Sequence, residues 1–385
     1  MIPLLHTPEG VRDIYGDEMA DLRGISDAVC TCMKTYGFRE IQTPSFEYFD
    51  VFSSERGTVP SKDMYKFIDR DGNTLVLRPD MTPQVARCAA TYWRDETEPL
   101  RLYYVGNTFV DNSGYQLRLK ETTQAGVELF GDDSVVADAE VVALTVECLK
   151  KTGLKKFQIE IGNAGFFRAL ANECQLSADD EEELRRRIKS KNLFGVSDFL
   201  TERKISGKTA ELLLSIPELF GSEEILDRAA FMTENEAALA SLDRLRELSK
   251  CLKLYGVDRY VSFDLGMLSK YRYYTGIIFR AITYGTGEAL ASGGRYDSLA
   301  EQFGRQMPAI GMSVTLDTLL AALQRADDKQ LPFKVHPTCV VYREGAYAEA
   351  IKRANELRKE EDCVCLRKAT AEELAKHDGE DVWSI

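Results

Sequence analysis

Two polar residues, Gln124 and Glu128, lie four positions apart in the segment Gln-Ala-Gly-Val-Glu-Leu-Phe-Gly. If this segment is a β-strand, both side chains project from the same face, because strand side chains alternate between faces. A buried polar group without a hydrogen-bond partner costs about 1–3 kcal/mol, so a covered face would require partners for both. An amino-acid ligand would supply them, since an amide bonds to a carboxylate or an amine and a carboxylate accepts from an imidazole N–H. A structural hydrogen-bond pair, or an open and solvated face, would satisfy the same residues.

A carboxylate and a hydroxyl, Asp80 and Thr82, occur two positions apart in Leu-Arg-Pro-Asp-Met-Thr, directly before Pro83. Proline is tolerated at the first position of a helix, so a helix is predicted to begin here. Asp and Thr at such a position commonly cap the helix by accepting from its first free N–H groups. Taken alone, the motif favours this structural role over ligand binding.

Two tyrosines, Tyr273 and Tyr274, precede Gly276 and a predicted strand. Glycine at a strand allows the close approach of a ligand or of another backbone segment. The glycine-rich segment Ser-Gly-Gly-Arg-Tyr-Asp follows and contains Arg295, which suits either a structural ion pair or a ligand contact. Arg118, in a predicted hairpin, suits either a surface position or the same site.

The elements that must position these residues follow from hydrophobic periodicity and turn signals. A long hairpin is predicted from 101–109 and about 119–129, joined by a polar loop at 112–114, and it carries Gln124 and Glu128. The dipeptide Asp-Gly at 71–72 predicts a second hairpin. The other elements predicted before residue 165 are a helix ending at about Tyr36, a short strand within 38–47 that ends at Pro44, a helix from Thr82, a helix over 134–152 and a strand over 156–161. Proline suits a strand end, because it cannot donate to a ladder.

The segment 165–253 is almost wholly helical in its pattern and is predicted to be an insertion. Ser177 precedes acidic residues and then the arginine run 185–187, an order that suits an N-cap and the helix dipole. The acidic residues beside that run favour a solvated helix face over an RNA contact. A leucine stripe predicts an internal packing face. It consists of Leu239, Leu242, Leu245, Leu248 and Leu252.

Alternating patterns typical of strands return after the helical segment. Strands are predicted at 259–265, 276–283 and 309–314, followed by a helix over 315–326. The remaining residues, 327–385, are predicted to form a small α/β unit. Its expected elements are strands at 338–342, 363–366 and 382–383 and helices at about 347–359 and 372–375.

Composition limits the classes of function. The 385 residues carry a formal net charge of −13, from 49 basic and 62 acidic side chains. This charge argues against tRNA binding, because nucleic-acid affinity comes largely from Lys and Arg neutralising phosphates. Nine scattered cysteines without a Cys-x-x-Cys pair and only three histidines predict neither a metal centre nor a bound cofactor. No signal segment and no apolar run of membrane length occur, so we expect a cytoplasmic protein without a membrane partner.

These motifs resemble those of histidyl-tRNA synthetases over roughly residues 5–326. The resemblance implies an α+β fold: a class II aminoacyl-tRNA synthetase-like antiparallel sheet flanked by helices, with a helical insertion and a small C-terminal α/β unit. It implies a core over 1–326 and a C-terminal domain over 327–385, too short for the anticodon-binding domain of that family. It also implies a histidine site, with Arg118 and Arg295 as additional contacts. The implied histidine-binding residues are Asp80, Thr82, Gln124, Glu128, Tyr273 and Tyr274.

Three positions depart from the synthetase pattern. Val110, Ser269 and Thr318 stand where the resemblance implies arginines that hold ATP or the amino acid. Attack of a carboxylate on an α-phosphate requires fixed positive charge around the transferring group, and Arg binds phosphate through two N–H groups as Val, Ser and Thr cannot. The loss of all three argues against catalysis, and no catalytic residue is predicted.

The chain is therefore similar to the regulatory subunits of ATP phosphoribosyltransferase, which are paralogues of the synthetase. The resemblance implies a non-catalytic chain that dimerises within a hetero-octamer and is required by a short-form catalytic subunit. That enzyme condenses ATP with phosphoribosyl pyrophosphate in the first step of histidine biosynthesis, with histidine as the feedback effector. A divergent active histidyl-tRNA synthetase is the alternative, and an assembly protein without a ligand is a third.

Overall fold

The computed structural model describes residues 5–52, 59–111, 118–268, 273–326, 338–360, 363–370, 372 and, as backbone only, 382–384. The described residues group into two compact units. The larger unit takes in residues up to 13 and 22–330, and the smaller one takes in 14–21 and residues from 331 onward. The predicted division into a core, a helical insertion and a C-terminal domain stays a prediction.

Helices and strands alternate irregularly along the larger unit, as an α+β fold requires. They are α1 (Gly16–Thr35), β1 (Arg39–Glu40), β2 (Phe46–Tyr48), β3 (Lys66–Ile68), β4 (Thr74–Leu77), α2 (Thr82–Tyr92), β5 (Leu100–Phe109), β6 (Glu121–Phe130), α3 (Val135–Lys151), β7 (Gln158–Asn163), α4 (Ala164–Glu173), α5 (Ala178–Lys189), α6 (Leu193–Glu202), α7 (Lys208–Ser215), β8 (Phe220–Gly221), α8 (Glu224–Phe231), α9 (Glu236–Leu254), β9 (Val261–Asp264), β10 (Ile277–Ile282), β11 (Ala291–Arg295), β12 (Ala309–Thr315) and α10 (Leu316–Arg325).

A nine-stranded sheet in the order β1-β5-β6-β12-β11-β10-β7-β9-β8 forms the centre of this unit. The strands from β5 to β7 in this order pair antiparallel with their neighbours. The predicted long hairpin is confirmed: β5 and β6 pair from Leu100 with Phe130 to Phe109 with Glu121. Buried aliphatic residues of α3, such as Val141 and Leu144, cover the sheet. The sheet thus supports the site residues.

The strand predicted within 38–47 does end before Pro44, and it is only two residues long. Residues 39–40 form β1, which pairs parallel with β5, whereas 46–48 form β2 in a separate three-stranded sheet with β4 and β3. Pro44 explains the break, because proline has no N–H to donate to a ladder. The carbonyls of Thr43 and Pro44 instead accept from the buried Arg78 guanidinium at 2.8 and 3.2 Å.

The glycine-rich segment 292–297 lies mostly in strand β11. Its glycines allow the neighbouring strands to approach closely. A Cβ on Gly293 would lie 2.4 Å from the Gly311 carbonyl oxygen, and one on Gly294 would lie 2.6 Å from the Ile277 carbonyl oxygen. Both distances are shorter than any real Cβ contact, so only glycine fits at these two positions.

The helical pattern predicted after residue 165 corresponds to helices α4 to α9, with the two-residue edge strand β8 among them. Ser177 caps α5 as predicted, since its hydroxyl accepts from the Asp180 N–H at 3.2 Å. The expected packing face of α9 is present, with the leucine at 239 half-buried and the other four buried. Helix α9 packs against α3 and α4.

The arginine run at 185–187 is less solvated than predicted. Only Arg186 is largely exposed, at 75%, whereas the side chains of Arg185 and Arg187 are 22% and 21% exposed. Ion pairs to Glu181 and Glu183, one turn earlier, hold these two guanidinium groups along the helix. Their planes also lie over the rings of Phe167 and Phe199, and this contact covers them.

The smaller unit contains β13 (Thr338–Tyr342), α11 (Tyr347–Leu357), β14 (Val364–Lys368) and β15 (Val382–Ser384). Strand β13 lies in the middle, parallel to β14 and antiparallel to β15. Ala350, Ala354 and Leu357 are the buried face of α11. The helix expected near 372–375 falls outside the described residues, apart from residue 372. Among the described helices of either unit, none combines the length and the apolar character needed to cross a membrane.

Candidate functional site

A cavity of about 1280 Å³ opens on one face of the nine-stranded sheet, within the larger unit. It brings together five of the six residues predicted to bind histidine, although they come from three separate parts of the sequence. They are Asp80, Thr82, Gln124, Tyr273 and Tyr274. The sixth, Glu128, lies beneath the cavity, under the lining residues Tyr296 and Gly311.

Glu128 is only 1% exposed and is held by three hydroxyl groups. It accepts hydrogen bonds from Thr82 Oγ1 at 2.7 Å, from the Tyr104 hydroxyl at 3.2 Å and from the Tyr296 hydroxyl. Gly311 on β12 leaves room for this carboxyl, because a Cβ there would lie 1.7 Å from Glu128 Oε2. Burial raises the pKa of Glu128 to about 8, against the opposing effect of the hydroxyl donors. The carboxyl therefore resists ionisation in this site.

Asp80 stands beside this group at the start of α2. Its Oδ1 accepts from the Thr82 N–H at 3.2 Å. The capping role expected of the motif is not seen, because Met81 is the N-cap of α2, no side chain caps the helix, and the Thr82 hydroxyl donates to Glu128. Its Oδ2 lies 3.5 Å from the Tyr273 hydroxyl. Burial raises the pKa of Asp80 as well, and its charge further raises the pKa of Glu128. Two neighbouring carboxyls with raised pKa values form a site at which a cationic group of a ligand would be stabilised.

Gln124 lies on the same strand as Glu128 and lines the cavity. Across the ladder it faces Gly106 of β5 on one side and Thr315 of β12 on the other. The space over Gly106 is occupied by the Arg78 guanidinium and the Met81 side chain, because a Cβ on Gly106 would lie 3.1 Å from a carbon of each. This placement fits the expectation that Gln124 and Glu128 serve one site. The ligand of that site stays a prediction.

The tyrosine pair forms a wall of the cavity. Tyr273 and Tyr274 are 7% and 8% exposed, with ring centroids 4.7 Å apart. The ring of Tyr273 also meets Tyr296 edge to face at 5.7 Å. Tyr274 lies flat over Gly294, where a Cβ would come within 2.8 Å of the ring. Its carbonyl accepts from Arg168 at 3.0 Å, which anchors the wall to α4.

The two additional contacts have different positions. Arg118 lines the cavity, where its Nε lies 2.8 Å from Glu288 Oε1. Arg295 does not line it: its guanidinium is 3% exposed and pairs with Asp138 at 2.7 Å. The structural ion pair, one of the two roles considered for Arg295, is the role that the structure shows.

Sequence reasoning missed Tyr104 and Tyr296, which close the floor around Glu128. Tyr296 belongs to the glycine-rich segment that drew attention to Arg295, so its neighbours gave a signal. Tyr104 carries no such signal. Its position depends on Gly126 of β6, where a Cβ would lie 2.5 Å from the Tyr104 hydroxyl oxygen. That glycine lets the Tyr104 ring lie flat on the sheet.

The outer part of the cavity is chemically different from the floor. Val110 and Thr318 line it together with the hydroxyls of Thr108 and Thr122, whereas Ser269 falls outside the described residues. Cations also line the cavity, and three of them are engaged within the protein. Arg185 pairs with Glu181, Lys120 with Asp111, and Arg325 donates to the Gly285 carbonyl.

Comparisons with known proteins agree with this geometry. The model of the histidyl-tRNA synthetase family matches residues 10–319. An ATP phosphoribosyltransferase regulatory subunit of Acetivibrio thermocellus is 41% identical over 92% of this chain and 85% of the relative. The chain belongs to the ATP phosphoribosyltransferase regulatory subunit family. A second relative of the same name, from Caldanaerobacter subterraneus subsp. tengcongensis, is 39% identical over 94% of either chain.

A solved structure supports the fold assignment. It is described as an ATP phosphoribosyltransferase regulatory subunit/histidyl-tRNA synthetase from Bacillus halodurans C, with a TM-score of 0.85 at 31% identity. The match covers 96% of this chain and 94% of that one. The predicted class II synthetase-like fold is confirmed, and so is the predicted family. Proteins with these names are regulatory subunits, which accords with a chain that is not itself the catalyst.

Proposed function

We propose that this chain is the regulatory subunit that a short-form ATP phosphoribosyltransferase catalytic subunit needs for activity. The proposal is carried by one observation: 41% identity to a protein of that name over 92% of the chain. The chain would form dimers within a hetero-octamer with the catalytic subunit. The complex would condense ATP with phosphoribosyl pyrophosphate, the first step of histidine biosynthesis, in the cytoplasm.

Within that complex, histidine is the proposed feedback effector. The support is chemical: the cavity offers two carboxyls, a side-chain amide and tyrosines to a small cationic amino acid. The α-ammonium group of histidine would bind near Asp80 and Thr82, and its carboxylate would bond to the amide of Gln124. The imidazole would bind between Glu128 and the tyrosine pair. Because Glu128 lies under Tyr296, the Tyr296 hydroxyl would have to move for an imidazole to reach it.

The chain itself is proposed to catalyse no adenylation. Val110 and Thr318 line the outer cavity, and neither offers the two parallel N–H donors through which Arg holds a phosphate. Transfer at an α-phosphate depends on such fixed charge. For the same reason, and because of the net charge of −13, we propose no tRNA partner.

Co-purification with a short-form catalytic subunit, followed by a phosphoribosyl-transfer assay, tests the partnership. Each chain alone should be inactive or weakly active, and the mixture should be active and inhibited by histidine. Full activity of the catalytic chain alone, unchanged by this one, would overturn the proposal.

Two further measurements separate the alternatives. Calorimetry with histidine should show binding. If neither the free chain nor the complex gives a heat of binding, the remaining alternative is an assembly protein without a ligand. Histidine-dependent exchange of pyrophosphate into ATP should be absent. Exchange at an ordinary synthetase rate would establish the divergent synthetase instead.

A further inference from the structure

Three charged side chains from three elements meet below the pocket wall, outside the cavity lining. Asp138 of α3 is completely buried, and each of its oxygens takes one arginine. Arg295 Nε donates to Asp138 Oδ1 at 2.7 Å, and Arg244 Nε donates to Oδ2 at 2.7 Å. Arg295 ends strand β11, whereas Arg244 lies in the middle of α9. One carboxylate thus joins the sheet to the last helix of the helical segment.

The Arg295 end of this cluster connects to the tyrosines of the pocket. The Arg295 carbonyl accepts from the Thr275 N–H at 2.7 Å, directly after Tyr274. The aliphatic part of Arg295 packs on Gly276, where a Cβ would lie 3.2 Å from it. The next residue along the chain is Tyr296, which bonds to Glu128. A displacement of Arg295 would therefore move the wall and the floor of the site together.

The Arg244 end connects to the helical segment. Arg244 also donates to the Asp133 carbonyl at 2.8 Å, just before α3. One turn earlier on α9, the Ser241 carbonyl accepts from Asn163 at the end of β7. The side of α9 toward α8 has its own ion pair, between Arg246 and Asp227 at 2.7 Å. Helix α9 is thus bonded to the sheet at one side and to the helical segment at the other.

The charges explain why Asp138 is suited to couple these elements. Burial raises the pKa of Asp138, and the two arginines oppose that effect. Removing a partner from a buried charge pair is costly, because a charge remains without compensation. The surrounding side chains therefore have to keep Asp138 and its two arginines together. A movement of α9 is then transmitted through Asp138 to Arg295 and is not absorbed locally.

We propose that Asp138 is a positioning residue that couples the helical segment to the amino-acid pocket through Arg244 and Arg295. This inference deepens the proposed function and depends on it for the identity of the ligand. Coupling of this kind is reciprocal, so ligand binding in the pocket stabilises the position of α9, and restraint of α9 raises the ligand affinity.

The test compares two arginines of the same helix in the full-length chain. Arg244→Gln removes the bond to Asp138 but leaves Arg295 paired, whereas Arg246→Gln removes ion pairs that stay within the helical segment. The two side chains are matched in exposure, at 29% and 27%. Arg244→Gln should weaken histidine binding about fivefold to tenfold in calorimetry, in the range of one ordinary hydrogen bond. Arg244→Lys should restore most of the affinity, and Arg246→Gln should leave it within about twofold.

Hydrogen exchange of the free chain gives a readout that does not need a ligand. Arg244→Gln should speed exchange at the amides of Thr275, Gly276 and Tyr296, which bond to Arg295 and Ala309 across the sheet. If histidine fails to bind the wild type, the proposed ligand is wrong, and this exchange result alone decides the coupling. Equal affinity and equal exchange in Arg244→Gln and Arg246→Gln would overturn the inference.

Discussion

The floor and the outer part of one cavity differ in their chemistry. The floor holds Glu128 and Asp80, two acids whose pKa values are raised by burial, with hydroxyl donors around them. The outer part is lined by Val110 and threonines, together with cations such as Lys120 and Arg185 that are paired within the protein. The difference bears on the proposed function, because recognition of an amino acid and handling of a triphosphate have different physical requirements. The first needs a few acids and hydroxyls in a closed space, and the second needs fixed positive charge.

Removing the central acid of the floor should have the largest effect. Glu128→Ala leaves the hydroxyls of Thr82, Tyr104 and Tyr296 without their acceptor, at about 3 kcal/mol of unfolding free energy. Histidine affinity should fall at least about 100-fold. Denaturant unfolding and calorimetry measure the two effects.

The matched control is Glu121→Ala at the other end of the same strand. This substitution removes one side-chain hydrogen bond, which Asn107 donates. It should cost less than about 1 kcal/mol and leave the affinity unchanged. Equal losses in both variants would contradict the special position of the floor.

The pH dependence of stability sharpens the same comparison. The pKa of Glu128 in the folded chain is about 8, well above its ordinary value of about 4.3 in an unfolded chain. Between these values the unfolded chain binds fewer protons, so stability falls as the pH rises toward 8. The fall between pH 6 and pH 8 should be roughly 2 kcal/mol.

Glu128→Gln should remove that part of the slope. Asp80, Asp138 and Asp317 also have pKa values raised by burial and add slopes of the same sign, so the informative quantity is the difference between the two proteins. Identical slopes in wild type and Glu128→Gln would mean that Glu128 is ionised in the folded chain.

The outer part should accept new charge without effect on the floor. The double variant Val110→Arg, Thr318→Arg should bind ATP about tenfold more tightly, since each guanidinium can donate two bonds to a phosphate. Its histidine affinity should stay within about twofold of wild type. The corresponding double lysine variant carries equal charge without the two-donor geometry and should gain less. A large change in histidine affinity would show that the two regions are not separable.

The smallest effects on stability are expected from removing the tyrosine hydroxyls that contact Asp80 and Glu128. Tyr273→Phe removes a contact to Asp80 that is already 3.5 Å long, so stability should change by less than about 1 kcal/mol. Tyr296→Phe removes a short bond to the buried Glu128 and should cost about 1–2 kcal/mol. The ranking of the two variants in denaturant unfolding checks whether depth in the site determines the energetic contribution.

The sequence predicted those features that local pattern determines. Alternation identified the long hairpin, and the spacing of Gln124 and Glu128 put both on β6. The arrangement around Glu128 was not predictable, because Tyr104 is 24 residues away and Tyr296 is 168 residues away. Asp138 and Arg244 are likewise separated by 106 residues. Contacts of this range depend on strand order, and no residue type in a local segment specifies that order.

The end of the first predicted strand at Pro44 has a local cause that the sequence contains. The assignment of the residues on either side of Pro44 to different sheets does not have such a cause. The buried guanidinium of Arg78, which takes the carbonyls of Thr43 and Pro44, separates the two halves into different sheets. A sequence pattern does not report such a partner.

The β5–β6 ladder has a consequence for how this scaffold tolerates change. Its Glu128 rung, opposite Leu102, lies well inside the ladder, and Val110 comes one residue beyond its last rung at Phe109. A substitution beyond the last rung alters what projects from the tip of the hairpin without shifting the interior register. Such a scaffold can change the groups at its periphery while the register of the buried interior stays fixed.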